Sequence, residues 1–488
     1  MSFWLLFSIG IYMAAMLLIG WLAYRKTSNL TDYMLGGRGL GPAVTALSAG
    51  ASDMSSWLLM GLPGAMYLSG ISSAWIVFGL TFGAWANWLY VAPRLRVYTE
   101  VANDSITIPG YLENRFDDRK RVLRLVSGIV ILVFFTFYVS SGMVSGGVLF
   151  NTTFGLDYHA GLILVTAIVV AYTLFGGFLA VSWTDFVQGI IMVVALLLVP
   201  IVTLIEIGGL GTAVSEVRSI DPKMLDIFEG QSVLGIVSLI AWGLGYFGQP
   251  HIIVRFMAIT SRKDVKAARR IGMSWMIFSI VGAMFTGFLG IAYYSMNGLA
   301  IGDPETIFIK LGEILFHPII TGFILSAILA AVMSTISSQL LVTSSSLVED
   351  LYKTFVRRNA SDKELVFLGR AAVLIVSVIA LALGWEKSDT ILGLVSYAWA
   401  GFGAAFGPVI LLSLYWKRMT KWGALAGMLV GAVTVIIWSK VPALTDFLYE
   451  LLPGFVLSLL AIVIVSLLTK TEGKTEERFD EFTAKMKE

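Results

Sequence analysis

The stretch SAGASDMSSWLLMGLPG (Ser48–Gly64) places a carboxylate, Asp53, inside an otherwise apolar segment of membrane length. A charge buried in lipid costs several kcal/mol unless a cation, water or a polar partner meets it. The glycines and serines around Asp53 allow a helix to open there, which frees backbone carbonyls as oxygen ligands. The stretch therefore predicts a broken membrane helix that handles a cation such as sodium.

The composition agrees with a membrane location. Of the 488 residues, 57% are hydrophobic and only 14% are charged, and the mean hydropathy is +0.84. Soluble proteins carry about a quarter charged residues, so a soluble multidomain enzyme is excluded. A net charge of +2 without a basic tract gives no support for a nucleic-acid partner. The absence of cysteine excludes disulfides and thiolate sites, and three histidines argue against a histidine metal centre.

Apolar runs that cross a bilayer need roughly 17–25 residues, and about thirteen runs in this chain qualify. The first is too long for a signal-peptide core, so we expect it to be retained. The predicted spans are Phe3–Tyr24, Pro42–Leu68, Ile71–Val91, Leu125–Leu149, Ala160–Phe178, Phe186–Gly208, Val233–Met257, Ile271–Met296, Pro318–Leu347, Val366–Leu383, Ile391–Trp416, Trp422–Trp438 and Phe447–Leu468.

The charges predict the orientation of these spans. With thirteen alternating spans, 29 of the 34 lysines and arginines fall on one side of the membrane. Lysine and arginine accumulate in cytoplasmic loops, so we expect the N-terminus outside and the C-terminus in the cytoplasm. No obligate protein partner is evident.

Two of the spans share an unusual feature. Pro42–Leu68 and Val233–Met257 are both interrupted in their middles, the second by WGLGYFGQP at Trp242–Pro250. They lie five spans apart, and an odd offset inverts a repeat in the membrane. Paired broken helices in two halves of a chain indicate a binding site at the midplane.

Five motifs carry a family resemblance that runs through most of the chain. They are SAGASDMSSWLLMGLPG, GGFLAVSWTD (Gly176–Asp185), WGLGYFGQPH (Trp242–His251), LSAILAAVMSTISSQLL (Leu325–Leu341) and SYAWAGFGAAFGP (Ser396–Pro408). With these motifs the chain resembles the sodium:solute symporter family.

The resemblance implies an all-α integral membrane protein with the inverted-repeat fold of LeuT-type transporters. Ten core helices, spans two to eleven, would form two five-helix repeats at about residues 42–208 and 233–416, with one helix before and two after. Residues 1–468 would form one transporter domain. Residues 469–488 would be a short cytoplasmic tail, helical or disordered, and Gly209–Met224 would be a short surface helix.

The resemblance also implies a sodium site. Its ligands would be the carbonyls of Ala51, Met54 and Ala331 and the hydroxyls of Ser334 and Thr335. Oxygen ligands suit a hard cation. The alternative for the two hydroxyls is a bond back to their own helix. Asp53 would lie near the ion and brace the opened backbone, although a carboxylate paired only for packing is the alternative.

The resemblance implies L-proline as the solute. Proline needs partners for its carboxylate and ammonium and an apolar wall for its ring. Trp242 and Tyr246 are four residues apart and share a face if the helix is regular. The family pattern adds Tyr138 and Pro250. Ser55, one turn into the first break, is a candidate polar contact, and Phe402, in the glycine-rich AGFGAAFG of span eleven, would close the pocket. The alternative for each aromatic is ordinary packing.

Two more residues are candidates for coupling or gating. Asp185 is expected at the cytoplasmic edge of span six, where water reaches it; it would lie on the inner path of the ion or cap a helix. Arg38, just before the first core helix, would gate the inner mouth or extend its head to the membrane interface.

These observations predict sodium-coupled uptake of L-proline by alternating access in the cell membrane, with the sodium ion co-transported. The partners would be proline, Na+ and the lipid bilayer. The alternatives are a sodium symporter for another small solute (pantothenate, a sugar or a monocarboxylate) and, from another class, a channel or sensor with a transporter fold. No paired carboxylates, histidine cluster or activated nucleophile suggest an enzyme.

Overall fold

The computed structural model describes residues 3–26, 30–386 and 390–487. Over these ranges the regular structure is helical, and the β-structure is one isolated bridge between Leu40 and Ile259. Lys387, one of the five basic residues predicted on the side opposite the cytoplasmic loops, lies outside the described residues.

Long apolar helices dominate the chain. In chain order the α-helices are α1 (Phe3–Tyr24), α2 (Leu30–Leu35), α3 (Pro42–Met54), α4 (Leu62–Ser69), α5 (Ala74–Ala86), α6 (Ala92–Val101), α7 (Ile108–Arg115), α8 (Val122–Phe154), α9 (Tyr158–Ile207), α10 (Leu210–Ile220), α11 (Val233–Ala241), α12 (Pro250–Ala258), α13 (Val265–Met296), α14 (Ile307–Leu315), α15 (Pro318–Ser345), α16 (Asp362–Leu383), α17 (Ile391–Tyr415), α18 (Lys421–Trp438), α19 (Pro442–Thr445), α20 (Leu451–Leu468) and α21 (Thr475–Lys485).

Shorter turns of other pitch join these helices. The 3₁₀ segments are Gly36–Arg38, Gly70–Ser73, Pro222–Leu225, Trp242–Gly248, Arg262–Asp264 and Pro304–Thr306, and the π-helical segments are Trp57–Gly61, Asn87–Val91 and Ser346–Val356.

Ten helices in the described ranges are long and apolar enough to cross a membrane. The number rises to eleven when the bent pair Val233–Gly248 and Pro250–Ala258 is one span. The all-helical membrane architecture is therefore confirmed, whereas the predicted number of thirteen is not. One reason is that a break leaves pieces such as α3, whose 13 residues are fewer than a bilayer requires.

The first predicted break is present. Helix α3 ends at Met54, and Ser55 has a φ of +42°, which is outside the helical region. A turn and the π-helical segment Trp57–Gly61 follow before α4 begins at Leu62. The break therefore falls beside Asp53, as the sequence predicts.

The second predicted break is also present. Helix α11 passes into the 3₁₀ segment Trp242–Gly248, Gln249 is extended, and α12 begins with Pro250. Proline suits a first helical position because its missing N–H has no partner there in any case. The two halves are bent by 44°. A methyl group at Gly245 would collide with the Trp399 indole, so glycine permits the close approach of α17.

Helix α9 corrects the prediction of two spans separated by a loop at residues 179–185. The helix is continuous through those residues, and the change of direction falls earlier, at Gly177. Gly177 has φ +62° and ψ 179°, a conformation that glycine adopts without steric cost. The second half, Gly177–Ile207, is long enough to span a membrane.

Two peripheral helices agree with the sequence analysis. Helix α10 lies within the segment Gly209–Met224, and α21 forms the tail. The tail helix packs against α6, where the ring of Phe482 stacks on Tyr98 with centroids 4.1 Å apart.

Candidate functional site

A hydrogen bond joins the two broken helices. The Tyr246 hydroxyl, in the second break, donates to Oδ2 of Asp53, in the first, at 2.6 Å. Both side chains are buried, at 3% exposure each. The Tyr246 carbonyl accepts a hydrogen bond from Asn87 Nδ2 at 3.0 Å. Asp53, which lies at the first break, is therefore hydrogen-bonded to a residue of the second break.

Three of the predicted ion ligands, Ala51, Ser334 and Thr335, meet where α15 packs against α3. Ser334 Oγ on α15 donates to the Ala51 carbonyl at 2.8 Å, and Thr335 Oγ1 donates to the same carbonyl at 3.4 Å. Ser334 also donates to Ala331 within its own helix, at the longer distance of 3.2 Å. The cross-helix bond is thus the shorter one. Met54, the fifth predicted ligand, is the last residue of α3 and is buried.

This set of atoms fits a sodium ion. Every proposed ligand atom is a carbonyl or hydroxyl oxygen, and a hard monovalent cation prefers oxygen ligands. The described residues hold no group of three or more His, Cys, Asp or Glu side chains able to bind a metal. Carbonyl and hydroxyl oxygens suit an alkali ion better than a transition metal, which prefers imidazole or thiolate ligands.

The aromatic wall is wider than the sequence predicted. Trp242 and Tyr246 lie in a 3₁₀ segment, so the regular α-helical face expected for them is absent. Both rings nevertheless contact Trp399 of α17, with centroids 6.5 Å and 5.0 Å away. Trp399 Nε1 donates to the Trp242 carbonyl at 2.8 Å, and Tyr449 stacks on Trp242 at 5.2 Å.

Tyr138 and Ser55 both lie at the first break. The Tyr138 hydroxyl donates to the Asp53 carbonyl at 3.5 Å. Ser55 Oγ accepts from the Trp57 backbone N–H at 3.3 Å and so braces the turn that the positive φ of Ser55 creates. These contacts bring Ser55 and Tyr138 together with Asp53 and Tyr246.

Pro250 and Phe402 lie slightly apart from that group. Pro250 begins α12 and lines a separate narrow cavity. The Phe402 ring packs on Phe135 and Phe134, with centroids 4.3 Å and 5.8 Å away. Its carbonyl lies against Gly248, at the end of the second break.

Asp185 is not where the sequence analysis placed it. The prediction of a water-exposed acid or a helix cap is wrong, because Asp185 is 0% exposed inside α9. Its Oδ2 accepts from Ser48 Oγ at 2.8 Å and pairs with Arg255 at 3.2 Å. Ser338 of α15 lies 3.4 Å from the same oxygen. Asp185 therefore joins α3, α9, α12 and α15 in their interior.

Arg38 is held by polar contacts inside the protein and does not extend its head to the surface. Its side chain is 10% exposed and pairs with Asp104 at 2.8 Å. It also donates to the carbonyls of Met257 and Ser105 at 2.8 Å and to Thr99 Oγ1 at 3.1 Å. Burial lowers the pKa of the guanidinium, an effect that Asp104 opposes. Arg38 thus ties the segment before α3 to α6 and α12.

Sequence reasoning missed three residues that organise this region. Arg255 lies within a predicted span, and an intramembrane cation normally signals a buried acidic partner. Trp399 and Gln249 carried no comparable signal, because aromatic and amide side chains are common in packing. Gln249 Nε2 donates to the carbonyls of Gly245 and Trp399, both at 3.1 Å.

Known proteins are similar to this chain in sequence and in fold. Residues 33–431 match the family model described as "Sodium:solute symporter family". The chain belongs to the sodium:solute symporter family. It is therefore a multi-pass membrane transporter and not an enzyme.

Curated relatives cover nearly the whole chain. It is 74% identical to the high-affinity proline transporter PutP of Bacillus subtilis (strain 168), over 96% of this chain and 99% of that protein. It is 60% identical to the osmoregulated proline transporter OpuE of the same organism, over 98% and 97%. It is 53% identical to a sodium/proline symporter of Staphylococcus aureus (strain JH9), over 95% and 93%.

Solved structures confirm the LeuT-like fold. A Na+-coupled sialic acid symporter in an outward-open, substrate-bound state aligns with a TM-score of 0.82 at 21% identity, over 96% of this chain and 99% of that one. MhsT in complex with L-phenylalanine is less similar: it aligns with a TM-score of 0.52 at 15% identity, over 87% of this chain and 97% of that one. These two likenesses concern the fold alone.

Proposed function

We propose that the protein is a sodium-coupled symporter that takes up L-proline by alternating access. The observation that carries the proposal is the meeting of the Ala51 carbonyl with the hydroxyls of Ser334 and Thr335 across a broken helix. The names of the relatives, proline transporter and sodium/proline symporter, support the choice of ion and solute.

Sodium is assigned to the oxygens of Ala51, Met54, Ala331, Ser334 and Thr335. In this arrangement the two hydroxyls turn their lone pairs toward the ion and release the Ala51 carbonyl to do the same. Asp53 is close enough along the chain to add negative potential without being a ligand. Because its carboxylate is bonded to Tyr246, filling the ion site also steadies the second break.

L-Proline is assigned to the space between the two breaks. Trp242, Tyr246 and Trp399 supply apolar surface for its ring, and the aromatic faces attract its secondary ammonium. Backbone N–H groups exposed at the breaks suit its carboxylate, because helix N-termini carry partial positive charge. Ser55, Tyr138, Pro250 and Phe402 complete the proposed set.

The proposed location is the cell membrane, with the N-terminus outside and the C-terminus in the cytoplasm. The distribution of 29 of the 34 basic residues on one side supports this orientation. Arg38 and Asp185 lie nearer to the inner side in this orientation. Arg38 would hold the inner mouth closed, and the Asp185–Arg255 pair would hold the helices around the ion site together.

Coupling follows from shared elements. Sodium entering from outside steadies the first break and, through Asp53 and Tyr246, the wall for proline. Inward movement of one positive charge contributes about 2.3 kcal/mol per 100 mV of membrane potential. If sodium tightens proline binding by some factor, proline must tighten sodium binding by the same factor.

The test is uptake of labelled L-proline by proteoliposomes with and without an inward sodium gradient. We expect uptake to require sodium and to be abolished by excess unlabelled L-proline. Uptake that ignores the sodium gradient would refute the coupling. Competition by pantothenate, a sugar or a monocarboxylate, but not by proline, would instead assign another solute.

A further inference from the structure

A narrow cavity leads away from the proposed proline site. It is lined by Pro250 at the start of α12 and by Val254, one helical turn further. Val342 and Ser345 of α15 and Asp350 of the π-helical segment also line it. The cavity therefore adjoins one residue of the proposed substrate set, Pro250, and is also lined by a carboxylate residue, Asp350.

One face of α15 and of the segment that follows it connects the proposed ion site to this cavity. Thr335 contacts the Ala51 carbonyl, and Ser338 contacts the Asp185–Arg255 pair. Ser345 and Asp350 then line the cavity. Thr335, Ser338 and Ser345 are three and seven residues apart and so share a face of α15. Asp350 follows in the π-helical segment and lines the same cavity as Ser345.

Asp350 is bonded on one side only. Its Oδ1 accepts from Thr107 Oγ1 at 2.7 Å and lies 3.4 Å from Arg124 Nε. Its Oδ2 is buried and has no hydrogen-bond partner among the described residues, although the side chain is 0% exposed. Leaving a buried polar oxygen without a partner costs free energy, so Asp350 has capacity for a further donor or cation.

Three separate elements meet at Asp350. Thr107 is the N-cap of α7, Arg124 lies in the first turn of α8, and Asp350 belongs to the π-helical segment Ser346–Val356. Arg124 is itself shared with Glu113, whose Oε2 lies 2.9 Å from Arg124 Nε. Arg121 and Arg124 also donate to Thr354 of the same segment, so Asp350 is one of several polar contacts that hold the three elements together. π-Helical turns are frequent at functional sites.

We propose that this cavity is the inner exit passage of the transporter and that the contacts of Asp350 with Thr107 and Arg124 hold it closed. This inference depends on the proposed function, because it assigns the passage to the same sodium and solute. In the closed form Oδ1 of Asp350 holds Thr107 and Arg124. During exit the free oxygen receives the ammonium of the solute or the sodium ion, and the contacts to α7 and α8 release.

A packing role for Asp350 makes a different prediction. If the acid served only to join α7, α8 and the π-helical segment, its removal would lower stability without opening a path to the cavity. The two roles are separated by measuring the accessibility of the cavity directly. The chain contains no cysteine, so a single introduced thiol reports on one position.

The test uses two neighbouring serines of α15. Ser345 lines the cavity, whereas Ser344 is buried with its hydroxyl donating to the Gly369 carbonyl at 2.9 Å. Ser345→Cys and Ser344→Cys are made in the full-length chain and labelled with a water-soluble maleimide in inside-out and right-side-out vesicles. Each is combined with Asp350→Asn, with Arg124→Gln, and with Glu349→Gln as the matched control.

Glu349 is a suitable control because it pairs with Lys353 in the same segment and does not line the cavity. We expect Asp350→Asn and Arg124→Gln each to raise labelling of the thiol at position 345 about tenfold or more in inside-out vesicles, since losing a charged hydrogen bond shifts an equilibrium by that order. Adding sodium and L-proline should also raise labelling of this thiol in the protein without a gate substitution. The thiol at position 344 should stay unlabelled throughout.

The inference is overturned if the thiol at position 345 is labelled no faster with Asp350→Asn than with Glu349→Gln. It is also overturned if the thiols at positions 344 and 345 are labelled at the same rate. If Asp350→Asn does not reach the membrane, Arg124→Gln and the solute-driven labelling of the parent decide the question. Proline uptake by the same vesicles tests the proposed function separately. Labelling of the Asp350 variant without solute reports on the gate even where uptake fails.

Discussion

Asp53 and Asp185 are both buried acids beside the proposed ion site, and they are held in opposite ways. Asp53 adjoins a broken helix and is bonded to the neutral hydroxyl of Tyr246. Asp185 lies inside a continuous stretch of α9 and is paired with the cation Arg255. The first carboxylate keeps its charge available to an ion, whereas the charge of the second is compensated by the protein itself.

The difference separates two uses of an acid inside a membrane protein. A buried ion pair contributes little net stability, but removing one partner leaves an uncompensated charge. An acid without a basic partner is costly until a cation arrives, so its energy varies with the transport cycle. We therefore expect substitutions at Asp185 to act on the fold and substitutions at Asp53 to act on sodium.

The largest effect is expected for Asp185→Asn. Removing this acid leaves the Arg255 guanidinium buried without its counter-charge, which costs about 3–5 kcal/mol. The apparent melting temperature of the purified protein in detergent should fall sharply. The double variant Asp185→Asn with Arg255→Gln should recover most of the lost melting temperature. An Asp185→Asn protein as stable as the parent would contradict this account of the pair.

Asp53→Asn should act mainly on sodium. Because a charged hydrogen bond and its field are worth about 1.5–3 kcal/mol, the sodium concentration for half-maximal proline uptake should rise roughly 10- to 100-fold. The matched control is Glu305→Gln, a buried acid that accepts from the Ile391 backbone N–H at 3.0 Å. The comparison fails if both variants keep the sodium dependence of the parent.

Tyr246→Phe sharpens the comparison by removing only the bond to Asp53. The ring remains against Trp399, so proline keeps its apolar wall. A hydrogen bond to a charged group is worth about 1.5–3 kcal/mol. Because Asp53 keeps its charge in this variant, we expect sodium affinity and proline affinity to fall together by roughly tenfold, near the lower end of that range. Tyr158→Phe is the control, because that hydroxyl donates to the Gly384 carbonyl far from the site. A change in proline affinity alone would argue against coupling through Asp53.

The smallest effect is expected at a third acid, Asp480 of the tail helix. It pairs with Lys417 at 2.7 Å, but both side chains are about half exposed. Exposed ion pairs contribute roughly 0–1 kcal/mol. Asp480→Asn should therefore change the apparent melting temperature little and leave uptake intact. A loss of stability as large as that of Asp185→Asn would show that burial does not explain the difference between the acids.

Local chemistry made the breaks predictable. A helix is weakened by the serines and glycines around Asp53 and by the three glycines and the proline of Trp242–Pro250. This effect is local and does not depend on what the helix packs against. The Ala51, Ser334 and Thr335 contact was predicted only through family resemblance, because residues 283 positions apart give no local signal of meeting.

The position of Asp185 was predicted wrongly for a long-range reason. Its local surroundings, SWTD, resemble a loop or a helix start, but the helix continues because Arg255, Ser48 and Ser338 satisfy the carboxylate from other helices. Trp399 was missed because 12% of the chain is aromatic. Only the fold distinguishes the ring that contacts both Trp242 and Tyr246.

The most direct test is binding of labelled L-proline to the purified protein across a sodium titration, with the parent compared with a Ser334→Ala/Thr335→Val variant and a Ser337→Ala control. Ser337 is a useful control because its hydroxyl bonds within α15, to the Ser334 carbonyl. We predict that the double variant needs at least about tenfold more sodium for the same proline occupancy, which corresponds to about 1.4 kcal/mol. An unchanged sodium requirement would contradict the assignment of these oxygens to the ion.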